Sequence, residues 1–448
     1  MDATRSDSLL RRTGLTVLLL ALVFGGGQGH PGDALTQLAA LVLIGVLIWR
    51  TPDIRCWPKA SLWILPPLLA LLAFLLPWPE AWRVAGAARG ALSQHLAPLI
   101  GGLPATGALR PLAAERALFW LLPAIALYLA GLQLDWRARR MLLQTAVAVL
   151  AVGAVLGLAQ KAGGIDSALY FYRNTNRGMA VGLFANNNHY AISLACTLPL
   201  VWAGLVHLAG QREQRHVHPL RFALPAGIAL LFMLGFLLSG SRAGLLLGMA
   251  GCLLMLPAVI AADRHTGAKH WLFALMAVGL FLAVQLGLYF ISLQFVPNPL
   301  EDSRWQIFAG TRTAADAYAP LGAGPGAFWY AFQHVDPFLG GPKMVNHAHN
   351  DYLEIWLELR WFGVLAGALL LGAFLWQGVR VWFMAGRHSV RATLMARAAW
   401  VGLLLLLLHS LVDYPLRTTA LSALAGLLAA CVVWPRGEPG VSGRSDGM

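Results

Sequence analysis

The sequence predicts an all-α polytopic membrane protein of about twelve transmembrane helices, with one large outer loop carrying short helices. Three observations predict it. Of 448 residues, 58% are hydrophobic and only 12% charged, about half the charge of an ordinary soluble domain. The mean hydropathy is +0.64. Apolar segments recur along the whole chain, parted by connections that hold most of the charges. This composition excludes a disordered chain, a collagen and a disulfide scaffold. Cys56, Cys196, Cys252 and Cys431 are scattered and lack zinc-ligand or paired spacing. Lys and Arg number 33 against 20 Asp and Glu, a net charge of +13. In a membrane protein such an excess caps helices on one face, so nucleic acid is not implied.

In chain order, the apolar runs fall at about 13–28, 34–49, 60–77, 116–134, 141–160, 189–209, 222–238, 243–262, 271–293, 362–384, 398–412 and 419–434. The first follows Arg11 and Arg12 as a signal peptide would. Gly25, Gly26 and Gly27 lead directly into a second run, however, so it is read as a retained helix. Alternate connections are short and densely basic, among them those holding Arg50, Arg55 and Lys59, or Arg137, Arg139 and Arg140. By the positive-inside rule these lie on the cytoplasmic side, with both termini. Three long segments then lie outside, at about 78–115, 161–188 and 294–361. The third holds Trp305, Trp329, Tyr330, Phe332 and Trp356, enough aromatic surface to pack as a folded cap. Ala327 within it is expected to be accessible from outside. Residues 1–448 are read as a single membrane domain, without internal repeat or soluble domain.

The sequence lacks a Walker phosphate loop, a dinucleotide fingerprint, an Asp-x-Asp pair and a Gly-x-Ser-x-Gly elbow. What stands out is arginine on the outer face. Arg242, in LLSGSRAGLLLG, sits at or within the membrane boundary, where an ionisable group marks a functional candidate. Ser239, Gly240, Ser241 and Gly244 around it leave room for a bulky anion. The plainer alternative is a snorkelling helix-end arginine. Arg304, in EDSRWQIF, offers a planar fork suited to phosphate, unless Glu301 or Asp302 engages it locally. Arg173 and Arg177 flank NTN in the second outer segment. FANNNHYA follows, whose Asn187 and Asn188 stand at a helix mouth, to bind sugar hydroxyls or simply to cap the helix. The glycines of LGAGPGAFW (321–329) read as a tight turn, with phosphate cradling the lesser reading.

The strongest local signal is NHAHNDYLEIWLELRWFG (346–363). His349 stands at the start of an amphipathic outer helix. Tyr352, Ile355, Trp356 and Leu359 form the stripe expected to pack down, and Asp351, Glu354 and Glu358 share the other side. Imidazole titrates near neutrality, so His349 suits a general base, with Asp351 or Glu354 to hold its tautomer. Metal ligation by this run and a merely packed histidine are the alternatives. Further on, HSLVDYPLRTT (409–419) sets His409, Asp413 and Arg417 at helical spacing. This reads chiefly as a structural lock between Asp413 and Arg417.

Together these motifs, over residues 180–430, resemble the O-antigen ligase and O-antigen polymerase superfamily of bacterial inner-membrane glycosyltransferases. The resemblance rests on FANNNHYA, GSRAG, Arg304 followed by LGAGPGAF, and above all HNDYLE. The ligase pattern is His-Asn, nine residues, Gly, two residues, Gly. His349-Asn350 and Gly363 fit it, whereas position 360 is Arg. The resemblance implies a multi-pass inner-membrane enzyme whose loop 294–361 faces the periplasm. Its donor would be a glycan on undecaprenyl diphosphate. Its acceptor would be lipid A core for a ligase, or a second lipid-linked repeat for a polymerase. Neither cofactor nor metal is expected. On that reading His349 is the catalytic base. Arg242, Arg304, Arg177 and Arg173 bind the diphosphate, and Asn187, Asn188, Asn350, Asp351 and Glu354 orient sugars or the base. A lipid-linked-oligosaccharide flippase is the alternative from another class. It needs charges deep in both halves, and few are present. A purely structural partner in envelope assembly is the third reading.

Overall fold

The computed structural model describes residues 3–215, 220–262, 303–335, 345–384 and 388–434, except 28 and 30, with isolated positions between 276 and 287. The described residues are mostly helical and include no strand; an isolated bridge joins Pro77 and Thr106. The helices are α1 (Ala3–Phe24), α2 (Pro31–Arg50), α3 (Leu65–Leu75), α4 (Glu80–Arg83), α5 (Ala87–Ile100), α6 (Pro111–Gln133), α7 (Trp136–Ala162) and α8 (Asn187–Arg215). There follow α9 (Leu220–Leu238), α10 (Arg242–Ala262), α11 (Ser303–Ala317), α12 (Phe328–Val335), α13 (Asp351–Phe383), α14 (Val390–His409) and α15 (Thr419–Val432).

Among the described residues, seven segments are long and apolar enough to cross a membrane: α2, α6, α7, Asn187–Leu208 of α8, Arg221–Leu238 of α9, α13 and α14. Shorter apolar helices lie at Lys59–Leu75, Arg242–Ala258 and Thr419–Val432. These fall where the sequence reading expects spans. The expected span 271–293 lies almost wholly outside the described residues.

At the centre is α8, packed against α9, α10 and α14. Its Tyr190, Cys196 and Trp202 are fully enclosed. Close contact relies on small residues, as between helices that lipid cannot drive together. A Cβ on Gly402 of α14 would lie 2.2 Å from the Cys196 carbonyl oxygen of α8. One on Gly426 of α15 would lie as close to that of Ala124 on α6.

One end of the bundle is fastened by arginines to main-chain carbonyls. Buried Arg139 donates to the carbonyls of Leu134, Ala430 and Val433, and Arg397 donates to Val381 and Trp382. At the other end the interhelical segments meet. Ala420 N–H donates to Gly25 O, Ala185 to Gly26, Ala180 to Leu238, and Asp351 to Ser410.

Over that second end lies a further layer with its own core, made by Ala88 of α5, Ile307 and Ala314 of α11, Phe328 and Phe332 of α12, and Leu357 of α13. Of the aromatic residues expected to build a cap, Phe332 is buried in this core and Trp329 and Trp356 pack against it, whereas Trp305 and Tyr330 are exposed. Ala327, expected to be accessible, is instead buried at 1% exposure, because it starts α12 inside this core. Arg89 ties the layer together. It donates to the carbonyls of Gly322 (2.8 Å), Arg83 (3.3 Å) and Gly107 (2.6 Å). Burial pulls its guanidinium down to about 10.

A break in α13 links the two layers. Arg360 has φ 46° and ψ −129°, so Asp351–Leu359 belongs to the upper layer and the remainder descends into the bundle. Leu357 and Glu358 present their carbonyls to Ala323 N–H (3.0 Å) and Gly324 N–H (2.9 Å). The glycine-rich segment is therefore a structural turn against the break. A Cβ on Gly322 (φ 89°) would stand 2.6 Å from Glu358 O. Past the break the chain folds back so tightly that a Cβ on Gly363 would meet Ile355 Cγ2 at 2.5 Å.

Candidate active site

Asn350 caps α13, accepting from Tyr352 N–H and Leu353 N–H and donating through Nδ2 to Leu411 O (2.9 Å). The helix start is where the sequence predicts it, and the cap fastens it to the α14–α15 connection. The apolar stripe packs as expected at Ile355, Trp356 and Leu359, but the acidic face and Tyr352 depart from expectation. Asp351, Glu354 and Glu358 point inward and are buried, while Tyr352 is 43% exposed. The reason is Arg417, on the short 3₁₀ turn Pro415–Arg417. Its guanidinium lies 3.0 Å from Glu354 Oε1, 3.1 Å from Glu358 Oε2 and 3.5 Å from Asp351 Oδ1. Burial alone would lower its pKa, but the three carboxylates outweigh burial and hold it above the usual arginine value. Three buried acids spaced along one face need such a partner.

The remaining carboxylate oxygens are also used. Glu354 accepts from Ala348 N–H (2.9 Å) and bonds His347 Nδ1 (2.8 Å). Asp351 Oδ2 accepts from Ser410 Oγ (2.9 Å), and Glu358 Oε1 from Phe328 N–H (3.1 Å).

His349 precedes the cap with φ 50°. Its Nδ1 is 3.0 Å from Asp413 Oδ1. This corrects the sequence expectation that Asp351 or Glu354 orients it, since both are committed to Arg417, Ser410 and His347. It also replaces the expected Asp413–Arg417 lock, because Asp413 serves His349 and Arg417 serves α13. Burial would raise the Asp413 carboxyl, but the His349 hydrogen bond and the imidazoles of His189 and His409 hold it well below the usual carboxylate range.

Sequence reasoning missed Tyr414. Its ring lies 4.2 Å from that of His347, 4.9 Å from His189 and 5.0 Å from His349, centroid to centroid. Its N–H donates to Asp413 Oδ1 (3.0 Å), and its hydroxyl accepts from Asn346 Nδ2 (3.2 Å). Burial lifts that hydroxyl to about 12. His189 and His409 are fully enclosed beside it, and neither has a ring hydrogen-bond partner among the described residues. The only signal for this set was the composition of HSLVDYPLRTT, which reads equally well as structure.

The amide run closes the other side. Asn186 Oδ1 accepts from Asn188 N–H (2.7 Å), capping α8, and the Asn186 side chain also bonds Tyr414. Asn187 Nδ2 donates to Ser239 O (2.8 Å), and Asn187 N–H to Asn176 Oδ1 (3.1 Å). Asn187 thus joins the turn bearing Arg242 to the loop bearing Arg173 and Arg177. Both asparagines act locally as caps and ties. Arg242 is the exposed first residue of α10, behind Ser241, whose Oγ accepts from Gly244 N–H (3.1 Å). Arg304, half-buried on the first turn of α11, lies close enough for its charge to act on His409. Arg177 donates to Ile165 O (3.2 Å) and lies over the Tyr170 ring, while Arg173 is exposed. Of the four arginines, Arg304 is the one whose charge reaches the histidine cluster, while Arg242 follows the turn that Asn187 ties to the start of α8. Glu301 and Asp302 lie outside the described residues.

The fold and site define a multi-pass helical membrane protein with a histidine–carboxylate centre, flanked by arginines and helix N-termini, at one end of the bundle. Residues 227–371 match the family model described as O-antigen ligase, so this part of the chain is similar to the O-antigen ligase family. The match points to a membrane glycosyltransferase-like function in lipopolysaccharide biosynthesis. It includes Arg242, Arg304 and His349–Gly363, and excludes Asn187, Asp413 and Arg417. No curated protein matches the chain.

Proposed function

We propose that the protein moves a glycan from an undecaprenyl-diphosphate carrier to a sugar of lipid A core, at the periplasmic face of the inner membrane, with both termini cytoplasmic. The observation that carries this reading is the His349–Asp413 pair at one end of the bundle. With Nδ1–H donating to Asp413, Nε2 carries the lone pair. It takes the proton of an acceptor hydroxyl as that oxygen attacks the anomeric carbon. The bond from that carbon to the diphosphate oxygen breaks, and the leaving diphosphate gains the charge. Arg242 and Arg304 stabilise that charge, with the N-terminal N–H groups of α8 and α10 adding to the field. Arg173 and Arg177 stand farther out, as guides for the diphosphate. Asn188 faces the sugars, while Asn187 and Asn350, engaged as tie and cap, hold the surrounding segments in place. A single displacement inverts the anomeric centre.

Arg360 bears on ligase against polymerase. It adopts the positive φ that a glycine at that point of the ligase pattern would take, so the backbone of the pattern is kept and only a side chain is added. This supports the ligase reading. The test is purified protein in lipid with lipid-linked glycan, and either lipid A core or lipid-linked repeat as sole acceptor. Transfer to core is expected. Chain lengthening on the repeat alone would make it a polymerase, and no product with either would overturn the reading.

A further inference from the structure

Away from this site, α3 and the descending part of α13 enclose a cavity of about 1060 Å³. Its walls are apolar: Leu62, Leu65 and Leu69 on one side, Phe362, Leu365 and Leu369 on the other. The helices run antiparallel. Phe362 meets Phe74 at the end near the catalytic layer, with centroids 5.6 Å apart. Lys59 and Arg380 line the cavity at the opposite end, with Gln377 and Trp434. Arg380 Nη1 donates to Gln377 Oε1 (3.3 Å), which leaves the other guanidinium nitrogens for a further acceptor.

We infer that this groove is a binding site for an anionic glycerophospholipid of the leaflet opposite the catalytic layer, its phosphate on Lys59 and Arg380 and one acyl chain between α3 and α13. Charge complementarity selects this occupant. The groove offers cations at one end only and hydrocarbon along its length, which matches one negative headgroup on a long apolar chain. A lipid-linked glycan does not fit, because its diphosphate belongs at the other end of the bundle. A second protein helix would have to bury both cations against its own apolar face. Trp434 adds the amphipathic ring that favours the headgroup level.

The experiment is native mass spectrometry of the full-length protein from detergent, with phosphatidylglycerol and phosphatidylcholine of the same acyl chains supplied in equal amounts. Wild type is expected to retain phosphatidylglycerol in preference. Lys59→Gln with Arg380→Gln should reduce that preference about twenty-five-fold, since each juxtamembrane cation contributes on the order of fivefold. Arg137→Gln with Arg140→Gln, on the same end but outside the groove, should leave it unchanged. Leu365→Trp, which fills the groove, should displace lipid while both cations remain. Equal retention of the two lipids by wild type would overturn the proposal. So would a preference lost equally in the Arg137/Arg140 variant, or one unmoved by both groove variants.

Discussion

Asp413 Oδ1 stands 3.0 Å from His349 Nδ1 across 64 residues of sequence, and the same oxygen accepts the Tyr414 N–H. The carboxylate is thereby fixed by its own backbone before it fixes the imidazole. With its pKa held well below the carboxylate range, Asp413 stays ionised throughout the pH interval in which an imidazole titrates.

Acid should therefore not release the imidazole by protonating its partner. Asp413→Asn removes the carboxylate that orients the imidazole, so the rate of transfer should fall while donor binding is kept. His349→Ala should slow transfer by about 10²–10⁴-fold yet still bind donor. Since the pair acts as a unit, the double variant should be no slower than the slower single one. Multiplying losses would separate the two residues. His347→Ala, whose partner is Glu354, should slow transfer less.

Arg242→Lys and Arg304→Lys should insert normally and lose about a hundredfold in rate, because Lys keeps charge but not the fork. Arg177→Lys should stay within a few fold, since its guanidinium is engaged by Ile165 O and Tyr170. Single-turnover rates on expression-matched protein decide this. A loss at Arg177 equal to that at Arg242 would move the diphosphate outward.

Arg417→Ala should fail as a fold before it fails as an enzyme. It strands three buried carboxylates, a change that typically costs about 3–5 kcal/mol. Thermal unfolding in detergent should show the drop. Stability equal to wild type would mean that those acids are protonated together.

Arg360→Gly should fold and transfer about as well as wild type, because glycine adopts φ 46° without strain. Arg360→Val should be destabilised by roughly 1–3 kcal/mol. Arg360 also stacks over Trp356 at 3.9 Å, so a glycine variant clearly less stable than wild type would show that the stack outweighs the relief of backbone strain.

Orientation is checked with two thiols. Cys56 is exposed at the end opposite the catalytic layer, and Gln306 is exposed on α11 within that layer. Cysteine at 306 should react with an impermeant maleimide once the outer membrane is permeabilised, and Cys56 only after lysis of the inner membrane. The reverse pattern would invert the topology.

What the sequence disclosed, and what it hid, divides by range. Helical runs are local, so the spans and the start of α13 at Asn350–Asp351 could be read from spacing and capping chemistry. The inward turn of Asp351, Glu354 and Glu358 could not, because hydrophobic periodicity assigns charge to the outside unless a buried cation is known. Arg417 lies 59 residues beyond Glu358. The orienting role of Asp413 was hidden for the same reason: the nearby carboxylates were the natural guess, and the true partner arrives from the next helix pair. The break at Arg360 was legible only as a departure from a pattern, since nothing local tells an arginine at positive φ from one inside a helix.

Arg89 grips three main-chain oxygens and no acid. A joint of that kind is indifferent to which side chains its partners carry. The loops around Gly107 and Gly322 are free to exchange surface residues, and with them a taste for one sugar or another, while the frame that aims His349 keeps its shape. A swap of loop-surface residues between such proteins should thus retune which glycan is accepted without retuning the machinery beneath.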